Sequence, residues 1–355
     1  LKVKIMSDRL FPKLKPVLES DLQKAQSHLD VLTKPPGSLG KLEKLAQRYV
    51  AIRNGNSTLN KKSIFVFASD HGVTQEGVSA YPKEVTQQMV YNFLSDGAAI
   101  NVLARHVQAE VIVVDMGVDH DFGNTEGIVS KKIANGTQNM AKVPAMTRNQ
   151  AIQSLQTGFD LALEWSSKGT DLFAAGEMGI GNSTSAAAIM ATFDGGPIEL
   201  STGSGTGVDE AGLKKKVKII RKALQTNKPN PEDPLDVLSK IGGFEIGGMA
   251  GLILGAAERR KAIIVDGLIS GAAATIALKI DPAVSDYVFT SHQSSEPGHA
   301  LFFRLYNQSP LFDFQMRLGE GTGAALGISI LESAVKVYNE MATFESAGIS
   351  DKKPS

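Results

Sequence analysis

The chain has 355 residues, 42% of them hydrophobic, enough for a sizeable buried core in one large or two modest domains. Its 37 basic and 37 acidic residues cancel, which gives no reason to expect nucleic acid or a bilayer surface as a partner. The absence of cysteine excludes disulfides, thiolate metal sites, iron–sulfur clusters and a cysteine nucleophile, and fits a reducing cytosol.

Leu1 to Lys15 lacks the continuous apolar core of a signal peptide. The longest uncharged apolar segments, such as Ile246 to Ala257, are too short and glycine-rich to span a membrane, so a soluble cytoplasmic protein is expected. From Leu22 to Ile52 the pattern is helical: Leu22, Ala25, Leu29 and Leu32 share one face, as do Leu42, Leu45, Ala46, Tyr49 and Ile52. The tandem prolines and glycine of TKPPGSLG, Thr33 to Gly40, break it in two.

After Lys62 short apolar runs alternate with helical patterns. The runs are SIFVFASD (Ser63 to Asp70), EVIVVDMG (Glu110 to Gly117), DLFAAGEMG (Asp171 to Gly179), AIIVDG (Ala262 to Gly267) and YVFTSHQS (Tyr287 to Ser294). Nearly continuous apolar strings are expected of strands buried on both faces of a parallel sheet. Helical patterns such as Glu84 to His106 and Arg148 to Ser167 lie between them. The alternation predicts an α/β, doubly wound, mainly parallel Rossmann-like sheet over residues 61–330. Each run ends in polar or small residues, among them Asp70, Glu177, Asp266 and His292, which converge on the crevice beyond the carboxyl ends of the strands. A last long helix is predicted from Thr322 to Met341, with Leu331, Ala334, Val335, Tyr338 and Met341 as its stripe. It returns to the N-terminal helices, so residues 1–60 and 331–355 are expected to form a small helical domain from both chain ends, with a frayed tail from Ser346.

Two glycine-rich turns, Gly176 to Ala188 and Ser201 to Leu213, each precede a helical pattern. Free N–H groups at a helix start can hold an anion, although such turns are also ordinary strand-to-helix connections. Neither matches a Walker A or dinucleotide fingerprint. The basic run Gly212 to Leu224 has Leu213, Val217, Ile220 and Leu224 as its buried stripe and a mostly solvated lysine face, from which one lysine near the helix start could reach a phosphate. The six histidines show no metal-ligand spacing, so no metal is expected. Glu320, between two glycines before the last helix, admits two readings. A helix-capping acid is favoured by the dipole at roughly 0.3–1 kcal/mol; flanking glycines suit a carboxylate that a ligand must approach closely.

Eight strings in order carry more than composition: KPPGSLGKLE, SDHGV, YPKEVTQQMVYNFLSDGAAINVLAR, GTQNMAKVPAMTR, GEMGIGNSTSAAA, TGSGTGVDEAGL, DVLSKIGGFEIGGMAG and MRLGEGTGAAL. Together, over roughly Leu22 to Met341, they resemble the nicotinate-nucleotide–dimethylbenzimidazole phosphoribosyltransferase family. The resemblance implies a homodimer that needs no cofactor. Its reaction moves phosphoribosyl from nicotinate mononucleotide to 5,6-dimethylbenzimidazole, giving α-ribazole 5′-phosphate and nicotinate with inversion at the anomeric carbon. It implies Glu320 as general base and Glu177 as holder of the ribose hydroxyls. Phosphate would fall to Gly176 and the Gly203, Ser204 and Gly205 turn, with Lys216 and Ser294, and the base pocket to Tyr81, Met89, Met178 and Leu318. The bulky, mostly apolar pocket leaves room for a benzimidazole and also for a smaller phenolic ring. The rival classes are a nicotinamide-dependent oxidoreductase, which lacks its fingerprint here, and a non-catalytic nucleotide-binding subunit, which would be expected to lose the carboxylate.

Overall fold

The computed structural model describes residues 11–350. Its elements in chain order are α1 (Glu19–Asp30), α2 (Lys41–Ile52), β1 (Lys62–Ser69), α3 (Val85–Leu94), α4 (Ala99–His106), β2 (Glu110–Gly117), β3 (Ile128–Ser130), α5 (Arg148–Ser167), β4 (Leu172–Met178), α6 (Asn182–Asp194), α7 (Glu210–Asn227), α8 (Pro234–Ile241), α9 (Phe244–Glu258), β5 (Ala262–Val265), α10 (Leu268–Ile280), β6 (Val288–Thr290), α11 (His299–Tyr306) and α12 (Thr322–Glu340). The strands form one sheet in the order β3-β2-β1-β4-β5-β6, with every neighbouring pair parallel. The strand order reverses between β1 and β4, and a ligand crevice belongs outside the carboxyl ends of those two strands.

The apolar runs are unbroken because both faces of the sheet are covered. On β1, Phe65 and Phe67 point to the side of α5 and α9, where Phe65 meets the Trp165 ring edge-on at 5.3 Å and Phe67 lies against Gly248. Ile64 points the other way, beneath Gly321 at the start of α12. Helices α5 and α9 approach closely through glycine: a Cβ on Gly158 would overlap the Gly248 carbonyl, and one on Gly251 would overlap that of Leu155. Gly251→Ala is therefore expected to destabilise the fold by about 1–3 kcal/mol, read as a lower urea midpoint. An unchanged midpoint would show that the two backbones can part freely.

Helix α12 packs on α2. His28 Nε2 lies 2.8 Å from the Tyr338 carbonyl, and Leu32 pairs with Thr343 in an antiparallel bridge. The expected fraying from Ser346 is corrected for the residues up to 350. The Ile349 N–H donates to the Phe344 carbonyl at 3.0 Å, and Phe344 N–H to Val31 at 3.1 Å, so this turn is tied to the N-terminal helices. Residues 1–10 and 351–355 of the expected helical domain lie outside the described residues.

Three other expectations change. The pattern from Glu84 to His106 is two helices, because Asp96 turns left-handed (φ 57°) and the Gly97 N–H returns to the Asn92 carbonyl at 3.0 Å. Strand β3 was not expected: it is a three-residue edge strand with no buried position, so it leaves no apolar run. The buried stripe of α7 runs through Lys216, Ile219, Ile220, Ala223 and Asn227, while Leu213, Val217 and Leu224 are half-buried. The helix is rotated so that Lys216 faces the glycine turn and Asn227 donates to the Met140 carbonyl at 2.7 Å. Among the described residues no helix is long and apolar enough to cross a membrane.

Candidate active site

A cleft of about 620 Å³ opens at the switch point, with Tyr81, Met89, Met178 and Leu318 on its apolar walls and Glu177 and Glu320 among its lining residues. A narrow arm of about 20 Å³ continues past Glu177 and Arg317 to Asp266, His292 and Ser294. All four residues expected at an aromatic pocket thus share one cleft with both expected carboxylates.

Glu320 is reached from β4. Gly176 sits in that strand paired with Val66, and its missing side chain lets the 319–321 turn pass directly over the sheet. A Cβ on Gly176 would collide with the Glu320 carbonyl, which sets this glycine under the turn rather than in the cleft. Gly179, three residues on, reaches the cleft wall. The turn is left-handed throughout, with φ of 86° at Gly319, 64° at Glu320 and 90° at Gly321. A non-glycine residue there carries about 1–3 kcal/mol of strain and persists only where its surroundings impose it.

Asp266, just past β5, imposes it. Its Oδ2 accepts the Gly321 N–H at 3.0 Å, and its Oδ1 accepts those of Gly323 and Ala324 at 2.7 and 3.3 Å. These are the free N–H groups at the start of α12, so Asp266 caps that helix. Glu320 does not. Its side chain leaves its own helix and accepts instead from the Ile100 N–H, in the first turn of α4, at 3.4 Å. Glu320 is only 6% exposed. Burial, with the Asp266 charge adding and the Ile100 bond opposing, pushes its carboxyl up to about 7. A carboxyl poised there exchanges a proton readily near neutral pH.

Glu177, at the end of β4, accepts from the Asn182 side-chain amide at the start of α6. Burial pushes it up to about 8, with the Asn182 bond opposing and the Asp266 and Glu245 charges adding. Its Oε1 lies so close to Gly319 that a Cβ there would overlap it. Gly319 thus lets the two carboxyl-bearing segments meet.

Beside them the second glycine turn forms a cradle. Gly205 borders the cleft, and a Cβ on it would stand 2.8 Å from Lys216 Nζ. Lys216, 1% exposed, donates to the Ser183 hydroxyl at 2.9 Å and the Gly203 carbonyl at 3.1 Å. Burial brings its ammonium down to about 8, against the opposing pull of the Glu296 charge. Gly203 is buried against Glu296 and Pro297, and the Ser204 carbonyl closes the turn by accepting the Gly207 N–H at 3.0 Å. Ser294 lies across the narrow arm, its hydroxyl accepting the Glu296 N–H at 3.3 Å. Asn182, Ser183 and Glu296 were not foreseen. Asn182 and Ser183 lie inside a glycine-rich string already singled out, whereas Glu296 lies two residues past Ser294, just beyond the last apolar run.

The remaining strand-end residues hold the frame. Asp70 accepts the Asp119 N–H at 2.8 Å, and His71 Nε2 lies 2.6 Å from the buried Glu245 carboxylate. Lys34 and Glu43, the ends of KPPGSLGKLE, make a buried ion pair at 3.0 Å that pins the turn between α1 and α2. Among the described residues no group of three or more His, Asp or Glu is placed to hold a metal ion.

The sequence model of a family described as "Phosphoribosyltransferase" matches residues 14–349. A relative from Geobacter metallireducens is 52% identical over 337 residues, 95% of this chain and 96% of its own length; it is named nicotinate-nucleotide–dimethylbenzimidazole phosphoribosyltransferase. One from Chlorobaculum tepidum with the same name is 49% identical over 351 residues, 98% of this chain and 99% of its own. The crystal structure of CobT from Thermus thermophilus matches with a TM-score of 0.90 at 41% identity, covering 94% of this chain and 100% of that one.

Proposed function

The chain belongs to the nicotinate-nucleotide–dimethylbenzimidazole phosphoribosyltransferase family, and on that premise we propose how it performs the pentosyl transfer. Nicotinate mononucleotide and 5,6-dimethylbenzimidazole meet in the cleft, and Glu320 is the general base. The carrying observation is that Asp266 takes the helix-capping role, which leaves the Glu320 carboxyl free of its own helix on a strained turn that lines the cleft.

The benzimidazole lies between Tyr81, Met89, Met178 and Leu318, and one ring nitrogen attacks the anomeric carbon of the ribose. As that bond forms, the bond to the pyridinium nitrogen breaks. Its electron pair stays on the departing ring, which leaves as nicotinate and needs no acid. The proton on the other benzimidazole nitrogen passes to Glu320. A single displacement inverts the β-nucleotide to an α-riboside. Holding both rings in line supplies the rest of the rate.

Glu177 holds the ribose hydroxyls, with Asn182 fixing its orientation. The phosphate takes the cradle of Gly205, Lys216, Ser183 and Ser294. The helices of the two chain ends are read as a small domain beside the sheet-bearing residues 61–330, in a cytoplasmic homodimer; family membership supports that form.

Incubation with both substrates is expected to release nicotinate only when the base is present. Release without base, or none with tight nucleotide binding, would contradict the transfer; p-cresol in place of the benzimidazole reports in the same assay whether a phenol is accepted. Glu177→Ala is expected to weaken nucleotide binding about tenfold to a hundredfold, since the ribose hydroxyls lose a buried hydrogen-bond partner. Calorimetric titration checks this, and unchanged affinity would remove Glu177 from the ribose.

A further inference from the structure

Glu296 is a buried carboxylate for which the transfer itself has no use. It stands on the turn between β6 and α11 and is 5% exposed. One oxygen, Oε1, accepts the Gly205 N–H at 2.8 Å. The other, Oε2, is buried without a hydrogen-bond partner among the described residues and lies where a side chain on Gly203 would begin. The Lys216 ammonium, against Gly205, feels its charge. The Glu296 backbone N–H donates to Ser294. A carboxylate therefore already holds the Gly205 N–H, and its charge reaches Lys216, two of the groups assigned above to the nucleotide's phosphate. A buried oxygen with no partner is an unstable resting place for a charge, and a second anion beside it would be repelled.

We propose that Glu296 is a placeholder anion: it fills the phosphate cradle of the free enzyme, and the incoming phosphate binds by displacing it from Gly205 and replacing its charge beside Lys216. This rests on the phosphate assignment of the preceding subsection. While the cradle is empty of phosphate, the placeholder keeps the Gly203–Gly207 turn in shape and compensates the buried ammonium. Substrate and product carry the same phosphate, so the competition weakens both alike. Such uniform weakening leaves the transition state untouched relative to bound substrate and speeds the departure of product. The competition falls on phosphorylated ligands alone, because only they have to displace it.

Glu296→Gln separates this from a purely structural role. The amide oxygen can still accept the Gly205 N–H, but the charge is gone. The probes are inorganic phosphate, nicotinate mononucleotide and nicotinate riboside, titrated calorimetrically into the whole protein. The variant is expected to bind phosphate and nucleotide about tenfold or more tighter, with riboside affinity moved less than about twofold. Glu296→Ala should give the same ranking, so a folding defect in one variant leaves the comparison intact. Unchanged or weaker nucleotide binding, or an equal change for riboside, would overturn the placeholder. Lys216→Met is the control for the cradle and should lose nucleotide affinity while keeping that for riboside. If it binds both as the unaltered protein does, the phosphate assignment fails and the placeholder with it. If only the Glu296 variants behave otherwise than expected, the placeholder alone fails.

Discussion

Glu320→Gln is expected to lower kcat by about 10²–10⁴-fold, the range that a positioned general base contributes. Glutamine has the shape of the carboxyl and can still accept the Ile100 N–H through its amide oxygen. The left-handed turn is held by Asp266 through backbone groups, which the substitution leaves alone. Fold and nucleotide affinity should therefore persist, and the loss should remain at saturating concentrations of both substrates. An interaction needed only in the transition state shows this pattern. Turnover within a few-fold of the unaltered enzyme would exclude Glu320 as the base.

Asp266→Asn should have the next largest effect, about a hundredfold in rate, although Asp266 touches neither ring in the proposed mechanism. Its two oxygens together accept three N–H groups of the Gly321–Ala324 segment. An amide must turn its NH2 toward at least one of them, leaving buried donors facing each other. The expected loss of stability is about 1–3 kcal/mol, and the turn bearing Glu320 is released from the position the sheet imposes. The charge matters as well. Asp266 helps to raise the Glu320 carboxyl, so its removal should bring that carboxyl down and shift the acid limb of the rate to lower pH. Burial remains the larger cause, so the shift is partial. A stable variant with full activity and an unmoved limb would show that the turn keeps its geometry unaided.

The parts of this molecule legible in the sequence are those where local pattern and tertiary environment agree. Four of the five foreseen strands form within two residues of their apolar runs, because helices on both faces require every position to be apolar. The last, Tyr287 to Ser294, shrinks to Val288–Thr290 as the chain turns into the site. The glycines flanking Glu320 read as room for a ligand in the sequence; in the structure the close approaches they permit are to Gly176 and Glu177. Which role the carboxylate plays was not legible, since the competing cap, Asp266, comes from a different strand end. Glu296 was invisible for the same reason: its partner Gly205 is 91 residues away. Lys216 was distinguished from Lys214 and Lys215 only by resemblance, and burial now separates it, because both neighbours are exposed. The helical break at Ser95 to Gly97 was legible in turn composition, but the apolar periodicity on both sides masked it.

The most direct measurement is the pH dependence of benzimidazole-dependent nicotinate release under single turnover, with the unaltered enzyme and Glu320→Gln side by side. The base works only when deprotonated, and its carboxyl is raised to about 7, so the rate should fall as pH drops through that region. The variant has no such carboxyl, so the limb near pH 7 should be gone, leaving only what Glu177 and Lys216 contribute near pH 8. A limb near pH 7 that survives in the variant, or its absence from the unaltered enzyme, would contradict the assignment of the proton to Glu320.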